Sequence, residues 1–288
     1  MLMINGISSE EGGKMVTGYN LCLDRDEIDF QSYIDIGKKH LNEQKAKTKD
    51  CLQEYIKNGI ADGTQIEKDW FPQIEADIFL SHSHEDEELA LGLAGWLNKT
   101  FGLKCFIDSC VWGYADDLLE LINRDFSDKK KNSDGGYTYN HRKCITASKH
   151  VDTLLTIALH KMIDKSEVTL LLNTQNSISQ YKDVYQEATY SPWIYSEIIC
   201  TQIVRKKKIS EYRSRIQLEH FGKSDSGKDR FNAVYGISLD HLKKIDRTHL
   251  NEWKKIYGNY KEAHPLDCLY KLTHVEETKN IHLDVLYS

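Results

Sequence analysis

The sequence predicts an α/β protein built around a parallel sheet, and three observations carry that reading. A short apolar strand, Ala76-Asp77-Ile78-Phe79-Leu80-Ser81, a helix and a second strand, Leu103-Lys104-Cys105-Phe106-Ile107, succeed one another within about 32 residues, the length of a right-handed βαβ unit. Residues 168–172 are apolar throughout, as in a strand covered on both faces. Between them, Val151, Leu154, Leu155, Ala158, Leu159 and Met162 recur at helical spacing.

Taken in order, residues 1–75 are polar and helix-rich over 29–57, with Phe30, Tyr33, Ile34, Leu41, Leu52, Tyr55 and Ile56 irregularly spaced. They read as a helical N-terminal extension docked on a main domain of residues 76–288. Gly63-Thr64 and Phe71-Pro72 punctuate its end. After the strand at 76–81, Ser83 and Asp86 with the acidic first turn 85–88 open a helix whose inner face is Leu89, Leu93, Trp96 and Leu97, and Gly102 closes it. Asp108 ends the second strand. Residues 109–115 are expected to form a loop beyond that strand's carboxyl end, leading into a helix through Leu118, Leu119 and Ile122. Residues 125–147 are charged and lack periodicity, and read as a long inserted loop. After the strand at 168–172 comes a polar loop, 174–189. Ser191 and Pro192 are an N-cap and a first-turn proline, so a helix is expected from there to about Lys206. Residues 216–221 and 233–239 are candidate strands, and 242–257 and 266–272 candidate helices.

The chain has 288 residues, 40% of them hydrophobic and 28% charged, enough to bury a full core. No apolar run reaches 18 residues and the N-terminus lacks the plan of a signal peptide, so a cytoplasmic protein without membrane contact is expected. Seven cysteines, an odd number without a C-x-x-C pair, argue against a disulfide framework and against a zinc site. The net charge is −6, and basic residues gather only in short runs such as 129–131 and 205–208, which disfavours a nucleic-acid role.

On the helix after Ser191, Trp193, Glu197, Cys200, Thr201 and Val204 fall on one side, and Ile194, Ile198, Ile199 and Ile203 cover most of the rest. Glu197 therefore lies in an apolar stripe. Either it turns to water at the stripe's edge, or it is buried with a partner, a ligand or a shifted pKa.

The run Asp77-Ile78-Phe79-Leu80-Ser81-His82-Ser83-His84-Glu85-Asp86, then Phe106-Ile107-Asp108, then 167–173 and Trp193-x-x-x-Glu197, resembles a TIR (Toll/interleukin-1 receptor) domain in content and in order. The likeness is firm over residues 76–205 and looser to 280, and it is greatest to the bacterial TIR proteins of phage defence, of the Thoeris kind. It implies a flavodoxin-like, five-stranded parallel sheet flanked by helices. It also implies an enzyme that cleaves NAD at the nicotinamide-ribose bond with Glu197, to hydrolyse it or to make a cyclic or conjugated ADP-ribose signal for a separate effector. NAD is then substrate, with no cofactor or metal, and other TIR subunits are the expected partners. The loop at 109–115 lacks the Arg-Asp and Pro-Gly of receptor TIR domains, and the insertion at 125–147 is foreign to a minimal one.

The chemistry suits one carboxylate. The leaving nicotinamide is already cationic and needs no general acid, while a carboxylate beside the ribose stabilises the oxocarbenium-like transition state. A flat cation favours an aromatic face, for which Trp112 and then Trp193 are candidates, each with core packing as the alternative. Ser81 and His82 border the same crevice at the strand's carboxyl end, His82 being equally readable as a structural histidine. Asp108 could bind a ribose hydroxyl or cap the loop after it. Arg124, Arg142 and Lys143 are candidates for the pyrophosphate, or solvated charges. A non-catalytic TIR scaffold and a nucleoside deoxyribosyltransferase-like enzyme are the competing readings.

Overall fold

A computed structural model describes residues 18–23, 30–43, 52–57, 60–181, 185–204 and 235–274, and for residues 40, 57, 109–113, 180–181 and 185–186 it describes the backbone only. Five parallel strands form the central sheet: β1 (Gly18–Cys22), β2 (Ile78–Ser81), β3 (Cys105–Ile107), β4 (Val168–Asn173) and β5 (Lys243–Ile245), in the spatial order β5-β1-β4-β2-β3. The helices are α1 (Ile34–Glu43), α2 (Gly63–Trp70), α3 (Glu87–Phe101), α4 (Ser109–Phe126), α5 (His141–Lys165), α6 (Pro192–Ile203), α7 (Arg247–Asn259) and α8 (Pro265–Leu272).

Side chains alternate across a strand, so a sheet covered on both faces feeds two cores. Ile78, Leu80, Cys105, Ile107, Leu170 and Leu172 point into one cluster with residues of α3, α7 and α8. Phe79 and Phe106 point the other way, stacked at 5.3 Å between ring centroids, into a cluster built by α2, α4 and α5. The C-terminal helices are held from the first face: the Phe101 ring stacks on Trp253 at 4.1 Å, and Trp253 Nε1 donates to the Pro265 carbonyl. No helix among the described residues is long and apolar enough to cross a membrane.

The N-terminal segment is not the separate helical extension expected. Residues of β1 pair with β4 on one side and β5 on the other, with Tyr19 and Leu21 fully buried. Numbered from β2, the order runs 2-1-3-4-5 as in a flavodoxin-like sheet, but its fourth place is filled by a strand from the chain's beginning. The segment is also locked by helix packing. A Cβ on Gly37 would stand 2.0 Å from the Leu91 carbonyl, and one on Gly95 would stand 2.1 Å from the Tyr33 carbonyl, so α1 and α3 cross backbone to backbone.

Other expectations differ in detail. The helix after β2 starts with a 3-10 turn, His84–Asp86, and Ser83 makes no side-chain cap; Gly102 ends α3 at φ 73° as expected. The stretch 109–115 is no loop: α4 begins directly after Asp108. The stretch 125–147 is no loop either. Helix α4 runs to Phe126, the strands Lys130–Lys131 and Tyr137–Thr138 pair as a hairpin, and α5 starts at His141, capped by the Asn140 side chain. Short strands Ser179–Tyr181 and Tyr185–Thr189 occupy the expected 174–189 loop, and the second pairs with Tyr235–Gly236. Helix α6 ends at Ile203. Residues 216–221 lie outside the described residues.

Candidate active site

The site forms at the carboxyl end of β2 and β3, where helix α6 returns over the sheet. Its register is set by local chemistry: Ser191 accepts from the Ile194 amide and Pro192 occupies the first helical position, so α6 starts at one defined residue. From there Ile194 and Ile198 pack with Leu171, Leu239 and Leu242, while Cys200 and Trp193 reach the cluster around α5. Glu197 lies between these two apolar groups and is 1% exposed. The edge position, with its carboxylate in water, is thereby excluded.

The groups that meet Glu197 are polar. Ser81, the last residue of β2, donates its hydroxyl to Glu197 Oε2 at 2.6 Å. His82 Nδ1 stands 2.7 Å from Asp108 Oδ1, and both side chains are fully buried. Asp108 is in turn close enough to Glu197 for its charge to act on the Glu197 carboxyl. Four residues that the sequence placed on one crevice thus come together as two adjoining buried pairs, Ser81–Glu197 and His82–Asp108.

The electrostatics assign the protons. Burial pushes the Glu197 carboxyl well above its usual 4.5, the negative Asp108 beside it adds to the rise, and the Ser81 hydroxyl only partly offsets both. Burial works against a charged His82, but attraction and hydrogen bonding to Asp108 outweigh it and the imidazole is raised above 6.5. Burial and its neighbours thus favour the protonated form of Glu197, while His82, 2.7 Å from Asp108, is shifted toward its charged form.

Neighbouring loops are tied to this end of the sheet by bonds without local sequence signal. The Asp86 carboxylate accepts from Thr174 Oγ1 at 2.5 Å and from Asn176 Nδ2 at 2.7 Å, fastening the segment after β4 to the start of α3. Asn173 Nδ2 donates to Asn20 Oδ1 at 2.9 Å across β4 and β1. Elsewhere on α6, Ser196 Oγ lies 2.8 Å from His160 Nε2 of α5 and Thr201 Oγ1 lies 2.7 Å from His241 Nε2. The partners stand between 36 and 153 positions apart in the chain, so no motif announces them.

The remaining candidates fall elsewhere. Trp193 is half-buried against the α5 cluster, a packing role. Trp112 lies in the first turn of α4, immediately after Asp108, and its side chain is outside the described residues. Arg124 pairs with Asp125 at 2.9 Å and lies 16 residues along α4 from Asp108, about 24 Å at 1.5 Å per residue. Lys143 pairs with Asp128 at 2.6 Å and, like Arg142, belongs to the first turn of α5. A pyrophosphate held beside Glu197 is out of their reach. Comparison of the chain with protein-family models, with curated proteins and with solved structures returned no match.

Proposed function

We propose that the chain is a TIR-type enzyme that cleaves the nicotinamide-ribose bond of NAD, with Glu197 as the catalytic carboxylate. The observation that carries this reading is the placement of Glu197, buried at the carboxyl end of a parallel sheet, hydrogen-bonded to Ser81 at 2.6 Å and neighboured by the buried Asp108. In the reaction the C1′–N bond breaks and its electron pair leaves with nicotinamide, which becomes neutral. The ribose cation left behind is stabilised by ionised Glu197 and captured by a nucleophile on C1′: water gives ADP-ribose, and the substrate's own adenine gives a cyclic product. Ser81 orients the Glu197 carboxyl. A substrate must first displace the groups that cover a residue only 1% exposed, and this fits an enzyme switched on by assembly of TIR subunits. An ADP-ribose-derived signal for a separate defence effector is the corresponding role.

The complete burial of Ser81, His82, Asp108 and Glu197 also supports a second reading, a polar brace inside a non-catalytic TIR scaffold. One experiment separates them. The purified protein and its Glu197→Gln variant are incubated with NAD at high protein concentration, and nicotinamide and ADP-ribose species are measured by mass spectrometry. Release that disappears in the variant is the expected result. No release from the wild-type protein at any concentration, with infected-cell lysate added as trigger, refutes the enzyme.

A further inference from the structure

The overall charge of −6 conceals a strong segregation. Residues 124–150 contain seven lysines and arginines against three aspartates, a local charge of +4 that leaves −10 for the rest of the chain. The structure turns this stretch into a projecting finger: the end of α4, the hairpin Lys130–Lys131 with Tyr137–Thr138, and the first turns of α5. Between His141 and His150 only Ala147 is buried.

The hairpin register decides which side chains the finger presents. Lys131 lies opposite Tyr137 and Lys130 opposite Thr138, so alternation puts Tyr137 and Tyr139 on one face with Lys131 and Lys129. Lys129 Nζ confirms that grouping, standing 4.1 Å from the Tyr137 ring centroid and 5.7 Å from that of Tyr139. Tyr137 is 54% exposed, Tyr139 36% and the nearby Phe126 44%. The tip is well formed: the Asn132 amide donates to the Gly136 carbonyl at 2.8 Å, and Asp134 accepts from the Gly136 amide. An ordered hairpin that holds large aromatic rings largely in water, with ammonium groups on the same face, presents both to a ligand.

We propose that this finger binds single-stranded nucleic acid, the tyrosines stacking on bases and Lys129, Lys131 and Arg142 meeting phosphates. Aromatic platforms beside a basic track are the chemistry by which unpaired strands are held without sequence readout. The broad basic face that whole-chain composition argued against is not needed, because a short strand segment requires only a local one. The proposal stands independently of Glu197, from which the finger is separated by most of the length of α4.

The test uses the full chain and fluorescein-labelled 20-nucleotide oligo-dT and oligo-U, read by fluorescence anisotropy between 50 and 200 mM salt. Binding that weakens with salt is expected. Lys129→Ala and Lys131→Ala together should lower the log–log salt slope by about 1.4, at roughly 0.7 per phosphate contact, while Lys130→Ala, on the opposite face, should change it little. Tyr137→Ala should weaken binding on the order of tenfold at constant salt slope, the effect of a lost stacking platform. All these residues are exposed, and unchanged circular dichroism verifies that the variants fold. Absence of binding at 50 mM salt overturns the proposal, as does binding that the tyrosine change leaves untouched. Equal affinity for poly-glutamate also overturns it, in favour of an acidic protein partner.

Discussion

Replacing Glu197 with glutamine is expected to stabilise the protein progressively as the pH rises above the ordinary carboxylate range. In the fold Glu197 is buried and its pKa is raised well above 4.5, whereas in the unfolded chain it ionises near 4.5. Between those two values the folded state holds a proton that the unfolded state has released, so wild-type stability falls with rising pH by about 1.4 kcal/mol per unit. Glutamine keeps a carbonyl that accepts from Ser81 and does not titrate. The stability difference, variant minus wild type, should therefore grow as the pH rises from 5 to 6.5. That window lies below 6.5, so His82 does not enter: its pKa is raised, and its contribution is complete below the unfolded value and lost only above it. Urea unfolding followed by tryptophan fluorescence at four pH values measures the difference. A constant difference across the window would refute a protonated Glu197.

In the proposed reaction nicotinamide release needs ionised Glu197, so its rate should fall on the acid side with a midpoint above 4.5, approaching about tenfold per pH unit; a rate flat down to pH 5 contradicts this. Gly95→Ala drives a Cβ to 2.1 Å from the Tyr33 carbonyl and must part α1 from α3, costing about 1–3 kcal/mol or more, and a wild-type melting temperature would disprove the backbone-to-backbone crossing. A chain starting at residue 76 loses the strand between β4 and β5 and exposes both their edges, so it should lack near-ultraviolet dichroism and aggregate; a soluble, folded fragment would contradict the sheet order.

The parts of this fold visible in the sequence are those whose signals are local. Strands β2, β3 and β4 are apolar runs beside periodic helices, and Ser191-Pro192 and Gly102 mark helix ends by their own backbone requirements. Strand β1, Gly18-Tyr19-Asn20-Leu21-Cys22, is a buried strand of only five residues containing an asparagine, and nothing local says that it inserts beside β4, some 150 positions away. The finger is hidden for another reason. Lys129-Lys130-Lys131 and Gly135-Gly136 have loop composition, while pairing and the Asn140 cap, both longer-range than any window, make them a hairpin and a helix start. In the site, Ser81, His82, Asp108 and Glu197 were all legible because each ends a strand or lies in an apolar stripe. Their meeting as the pairs Ser81–Glu197 and His82–Asp108, and the fastening of Thr174 to Asp86, depend on distances no sequence displays.

The resting site holds Glu197 as an acid, yet the proposed chemistry needs its base, and the substrate itself supplies the difference. Nicotinamide in NAD is a cation, and a positive charge brought beside a buried carboxyl favours its ionised form, opposing both the burial and the Asp108 charge that raise its pKa. Binding of NAD should therefore expel a proton at any pH between the free-state and bound-state values of Glu197. The reduced dinucleotide, whose dihydronicotinamide is neutral, occupies the same shape and supplies no such charge. Calorimetric titration at pH 6 in two buffers of different ionisation enthalpy distinguishes them: the NAD binding enthalpy should depend on the buffer, while that of the reduced form should not. Glu197→Gln should abolish the dependence without abolishing binding. Buffer-independent enthalpies for NAD in the wild-type protein would mean that Glu197 does not deprotonate as the pyridinium arrives.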